Sequence, residues 1–283
     1  MSAQPYLQTT WFRSLFGVWW VQWSLGLALT LFALLPWLSG DNLIQLGAAG
    51  ELSPTPSLLP HAAYQSSDLW VAQGMCALLG GFFVRALSGR NLRFLLLVLI
   101  GSACGWLGAG YHSLTVLNSF AAGRDTLPRH LLVFGLGLVC LLLLFWIIAR
   151  LQMCWVALSL ALLSFVPGFW LDQLWDEVPW QLPIQHLGPL LLGIVLGVLG
   201  FERIVALAFW IAALVIQWLA PVFLNLLSAQ LATVDATLTG TRLWEVFSAH
   251  ALEPQWITAS IITLAGAMIL SVLLVLLRRI RHR

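Results

Sequence analysis

An all-α, polytopic integral membrane bundle of about eight transmembrane helices, with the N and C termini cytoplasmic, is the fold the sequence predicts. Three observations predict it. The 283-residue chain is 60% hydrophobic and 8% charged, with mean hydropathy +0.93, where soluble domains carry about 25% charged residues. Its apolar stretches are continuous rather than alternating, which excludes a transmembrane barrel. Its arginines are sorted unequally between alternate connections.

A helix needs about 20 apolar residues to cross a hydrocarbon core of about 30 Å. Eight segments qualify: 14–38, 69–88, 92–111, 131–149, 153–171, 185–201, 204–226 and 257–277. Residues 1–283 read as one transmembrane domain, with long outer loops at 39–68 and 227–256.

The first segment is too long for a signal-peptide core, and LLPWLSG is a poor cleavage site, so it reads as a retained span. In the second and third, Arg85, Arg90 and Arg93 mark the inner boundary, Arg85 being close enough to snorkel to the headgroups. Between Leu131 and Leu171 only Arg150 and Gln152 interrupt the pattern strongly. One helix over that length would reach about 60 Å, so a hairpin at ARLQ divides it. The same reasoning splits 185–226 at GFER, around Glu202 and Arg203. The eighth ends in RRIRHR, an anchor for anionic headgroups.

Orientation follows from the arginines. With a cytoplasmic N-terminus, Arg13, Arg85, Arg90, Arg93, Arg150, Arg203, Arg278, Arg279, Arg281 and Arg283 lie inside, against Arg124, Arg129 and Arg242 outside. Ten against three is a clear positive-inside bias. The acids fall the other way, with only Glu202 inside. Tryptophans cluster near the predicted ends, as interfacial belts do.

Small residues recur four apart on several spans: Gln22, Gly26 and Thr30; Gly101 and Gly105; Gly193 and Gly197; Ala259, Thr263, Ala267 and Ser271. Such stripes pack helices closely, against this chain or another. No sequence repeat between spans 1–4 and 5–8 is convincing. The four cysteines lie in or beside apolar runs and suggest no disulfide framework.

Chemistry is expected at the outer face. The candidate catalytic residues there are Asp172, Asp176, Glu177, His186, Glu245 and His250, with Glu253, His112 and His130 nearby if the loops converge. Carboxylates and imidazoles suit acid–base work or a divalent metal. No spacing is diagnostic, however: there is no HExxH, P-loop or EF-hand pattern. His112 is expected at the outer interface, Gln22 and Gln217 as polar groups within the membrane. TRLWEVFSAHAL reads as a short amphipathic helix in the interface plane. LWDEVPW (174–180) reads as a loop tip that becomes a site only beside His186 or His250.

Three functions fit. The leading one is a non-catalytic subunit or scaffold of a cell-envelope complex. The alternatives are a transporter or lipid-substrate flippase, and a membrane enzyme acting at the outer face on a lipid-linked or polymeric substrate. The expected partners are membrane lipids and a membrane protein docked on the small-residue faces. No inner segment is large enough to bind nucleic acid or nucleotide, and no motif calls for a cofactor or metal. The expected location is the cell inner (plasma) membrane, multi-pass.

Overall fold

A computed structural model describes residues 18–39, 58–59, 66–88, 91–119, 121–174, 185–201, 204–232, 244–245, 247–248 and 253–281. Among them the regular structure is helical throughout, with no strand. The helices are α1 (Trp19–Ala33), α2 (Leu35–Ser39), α3 (Ser66–Ser88), α4 (Leu92–Asn118), α5 (Ala121–Arg150), α6 (Met153–Leu162), α7 (Val166–Leu174), α8 (Leu187–Leu199), α9 (Ile204–Ala232) and α10 (Pro254–Arg281). The protein is a polytopic helical membrane bundle. Each of the eight predicted segments is helical over its described part.

Five helices are long and apolar enough to cross a membrane, and six if α6 and α7 form one broken span. The α8 helix, 13 residues long, reaches only about 20 Å, so the predicted span 185–201 is shorter than expected. The helix breaks at ARLQ, where α5 ends at Arg150 and α6 begins at Met153; at GFER, Glu202 and Arg203 lie outside the described residues. At the second, Gly200 takes φ 73°, a left-handed backbone that ends α8 without a Cβ penalty.

Two expectations need correcting. Residues 112–130 are not an outer loop: α4 continues to Asn118 and α5 begins at Ala121, so His112 and His130 are both helical. Arg85 does not reach for headgroups. Its guanidinium donates to the carbonyls of Ile148 and Leu151, 2.9 Å each, and so caps the end of α5.

The small-residue stripes are consumed inside the chain. On α1, Gln22, Gly26, Thr30 and Ala33 are the buried residues. Ser102 Oγ donates to the Gly26 carbonyl (3.1 Å) and Thr30 Oγ1 to that of Ser102 (3.2 Å). A Cβ on Gly26 would overlap the Val98 carbonyl, and one on Gly101 that of Trp23. Contacts climb in both helices together, from Trp23 beside Gly101 to Thr30 beside Gly105, so α1 and α4 run parallel.

The same rule holds elsewhere. In α3 and α5 the contacts climb from Trp70 on Val133 to Arg85 on Leu151. In α8 and α10 they climb from Thr263 on Pro189 to Ser271 on Gly197. The broken α6–α7 pairs with α9, from Trp155 against Phe209 toward Phe165 beside Ala220. Each segment thus packs in parallel on the segment two further along, within 1–4 and again within 5–8. The packing repeats although the residues do not.

The halves also share a break. In the first segment Pro36 interrupts the helix at Leu34. In the fifth, Pro167 follows the gap between α6 and α7, which are bent by 46°. Proline lacks the N–H and crowds the carbonyl four residues back. The breaks meet across the seam, where the Trp170 indole donates to the Ala33 carbonyl at 2.9 Å and its ring stacks on Phe32 at 4.8 Å.

Candidate functional site

The bend between α6 and α7 builds the site. Ser164 Oγ turns back to the Ala161 carbonyl (3.0 Å), so the break is partly capped from within. The start of α8 lies against the break almost backbone to backbone. A Cβ on Gly188 would overlap the Ser164 carbonyl, and one on Gly168 would come within 2.9 Å of Gln185 Cα. This approach and the 46° bend bring the end of α7 beside the start of α8.

The result is a cavity of about 80 Å³ among α6–α7, α8, α9 and α10. Its walls include Ser164, Asp172, Gln185, His186, Gln217 and Gln255, with Phe165, Phe169 and Trp256 as aromatic surface. Asp172, His186 and Gln217, candidates from three separate segments, therefore share one space.

Gln217 is buried in this wall. Its Nε2 donates to Thr263 Oγ1 at 2.8 Å, and Thr263 Oγ1 donates to the Pro189 carbonyl at 3.1 Å. The single hydroxyl proton is committed to Pro189, so Thr263 must accept from the glutamine, which fixes the amide with nitrogen toward α10. Oε1 is left without a partner although Gln217 is 3% exposed. Trp256 Nε1 is likewise buried and unpartnered. One acceptor and one donor on the same wall remain unused. Buried polar groups of this kind are costly when unpaired.

Two further spaces adjoin. A cleft of about 300 Å³ lies between the halves, walled by α3 and α5 on one side and α6, α7 and α9 on the other. Its lining is almost wholly apolar, and the exposed Leu136 and Leu162 stand at its lipid-facing edge. A pocket of about 140 Å³ holds Asp68, which accepts from Gln173 Nε2 at 2.8 Å and Ser67 Oγ at 3.3 Å. Phe165 lines all three spaces. It packs edge-on against Phe169, with ring centroids 5.9 Å apart.

The other predicted residues stand apart. Glu245 is exposed and lines none of these three spaces. Gln22 is buried on the α1 stripe that faces α4. His112 is half-buried on α4, and His130 is buried and stacked beside Phe134 at 6.3 Å. Asp176, Glu177 and His250 lie outside the described residues. Of the expected amphipathic helix only Trp244, Glu245, Phe247 and Ser248 are described, with Phe247 stacked on Trp244 at 5.7 Å. Among the described residues no three His, Cys, Asp or Glu side chains gather as a metal site.

Sequence reasoning missed Phe165, Gln185 and Gln255, and placed Trp256 only in an interfacial belt. The one sequence signal near Phe165 was the Pro167–Gly168 pair that marks the break. The chain matches no protein-family profile, no curated protein and no solved structure.

Proposed function

We propose that this membrane protein is a transporter of amphiphiles, a lipid-substrate flippase. One observation carries the reading: Phe165 lines both a cavity whose walls include Asp172, His186 and Gln217 and a cleft that is almost wholly apolar. An amphiphile requires both environments within its own length, and here one side chain borders both. Interrupted helices at corresponding places in two halves are where transporters build substrate sites, and the breaks at Leu34 and at 163–165 correspond in this way. The subunit reading rested on small-residue faces, on the missing catalytic motifs and on the lack of a soluble domain. Those faces are filled by the chain's own helices.

The same reading sets the protein in the cell inner membrane with eight crossings and both termini cytoplasmic. The arginine bias supports it. So does the parallel pairing, because segments two apart run the same way when the chain reverses at every connection. A periplasmic reporter fused after Arg283 is expected to be inactive, and an active one would overturn this orientation.

A membrane enzyme acting on a lipid headgroup is the second reading, favoured by Asp172 and His186 on one wall. Vesicles containing the protein and a phospholipid labelled with nitrobenzoxadiazole separate the two. Transport predicts that inner-leaflet label becomes reducible by dithionite, and that Phe165→Trp slows this. A chemically altered headgroup with unmoved label would favour the enzyme. No movement and no product would overturn both.

A further inference from the structure

The outer cavity has an unbalanced charge. Among the described residues its wall carries one carboxylate, Asp172, and no arginine, and the chain contains no lysine. The neighbouring acids deepen the imbalance. Asp68 lines the adjoining pocket, and Glu253 accepts a 2.6 Å hydrogen bond from Gln255, itself a wall residue. Among the described wall residues His186 is the one basic side chain. A half-buried carboxylate among apolar helices is expensive to keep unless a counter-charge or several donors satisfy it.

The rest of the wall narrows the guest. Phe165, Phe169 and Trp256 present aromatic surface, and aromatic faces attract organic cations through the ring quadrupole. Gln217 Oε1, on a side chain 97% buried, is an acceptor with nothing to accept from. A phosphate would meet a carboxylate and, among the described wall residues, no guanidinium. An ammonium group would find a carboxylate, amide side chains and aromatic rings among the same residues.

We propose that the cavity binds an alkylammonium group, that is, a protonated amine carried on a short carbon chain. At about 80 Å³ the space admits a head of a few heavy atoms. The attached chain leaves past Phe165 into the apolar cleft, so the inference deepens the amphiphile reading and rests on it. The same ammonium chemistry occurs in a lipid headgroup and in a free amine, which the experiment must separate.

The test uses the full-length chain in detergent micelles, read by native mass spectrometry. Phosphatidylethanolamine and phosphatidylglycerol with identical acyl chains are offered at equal concentration. Both carry a phosphate, and they differ in ammonium against diol. The expected result is retention of the ethanolamine lipid at least tenfold over the glycerol lipid. Asp172→Asn and, separately, Gln217→Leu should bring that ratio within twofold of one while total lipid retention persists. Asp68→Asn, which alters the adjoining pocket, should leave the ratio unchanged.

Equal retention by the wild-type chain, or preference for the glycerol lipid, overturns the ammonium inference and leaves the amphiphile reading standing. Retention of neither lipid sinks the amphiphile reading. In that event a rise in melting temperature with free ethanolamine that Asp172→Asn abolishes would keep the ammonium site, with a soluble amine as its source. No rise would overturn the site as well.

Discussion

The indole N–H of Trp170 donates to the carbonyl of Ala33 at 2.9 Å, joining the breaks of two helices 137 residues apart. Each partner answers a need created by the other segment. Helix interruption leaves the Ala33 carbonyl in want of a donor deep in the bundle, and a buried indole requires an acceptor. The bond spans the seam between the four-segment halves.

Trp170→Phe should therefore destabilise the protein by about 1–3 kcal/mol, the loss expected when a buried carbonyl is left unpaired. Phenylalanine keeps an aromatic ring for Phe32 but also removes buried ring volume, so the loss includes a packing contribution. Thermal unfolding in detergent checks it, with exposed Trp19→Phe as the control. Equal melting temperatures for Trp170→Phe and wild type would show that the seam does not depend on this bond.

Glycines should divide sharply by their neighbours. Gly26→Ala and Gly101→Ala push a methyl into carbonyls of the facing helix, and should cost about 1–3 kcal/mol as overpacked contacts do. Gly266 meets nothing within 4 Å, so Gly266→Ala should be neutral or stabilising by up to about 1 kcal/mol through helix propensity. Size-exclusion profiles after heating rank the variants. The reverse order would refute the α1–α4 packing.

Thr263 ties α10 to both α8 and α9, through Pro189 and Gln217. Thr263→Val keeps the shape and removes the hydroxyl, at a cost of about 0.6–1.7 kcal/mol for hydrogen bonds between membrane helices. Thr263→Ser should recover most of the loss. A valine variant as stable as wild type, measured by urea or thermal unfolding, would deny the relay that orients Gln217.

Native cysteines offer a probe of the cleft. Cys140 lines it and is exposed, Cys104 is exposed elsewhere, and Cys76 is buried. A lipid-soluble maleimide should modify Cys140 and Cys104 and spare Cys76 in the folded protein. Added amphiphile should slow labelling at Cys140 severalfold while leaving Cys104 unchanged. Equal protection at both positions would count against occupancy of the cleft.

Much of the fold was legible because solvent dictates it. A segment that must live in hydrocarbon satisfies its own backbone and shows only carbon, so helix, length and burial are written locally. The stripe on α1 was read to the residue, and the helix break after Arg150 fell where a continuous helix would have been too long. The ends of α4 and α5 were misread because Tyr111–Ser113 and Arg124–Arg129 are polar enough to pass for a loop while still continuing a helix. Arg85 was misread because its acceptors, the carbonyls of Ile148 and Leu151, lie more than sixty residues away.

By itself the sequence determined an α-helical membrane bundle, its segments, its charge asymmetry and which faces carry small residues, because each follows from residues read against a bilayer. It also singled out Asp172, His186 and Gln217 one at a time. Only the tertiary structure decided that they share a cavity, that Phe165 lines both that cavity and an apolar cleft, and that the two halves pack by one rule. Those outcomes depend on a 46° bend, on Gly188 lying against the Ser164 carbonyl and on parallel pairing between distant helices. No local periodicity encodes them, because they arise where separate segments meet.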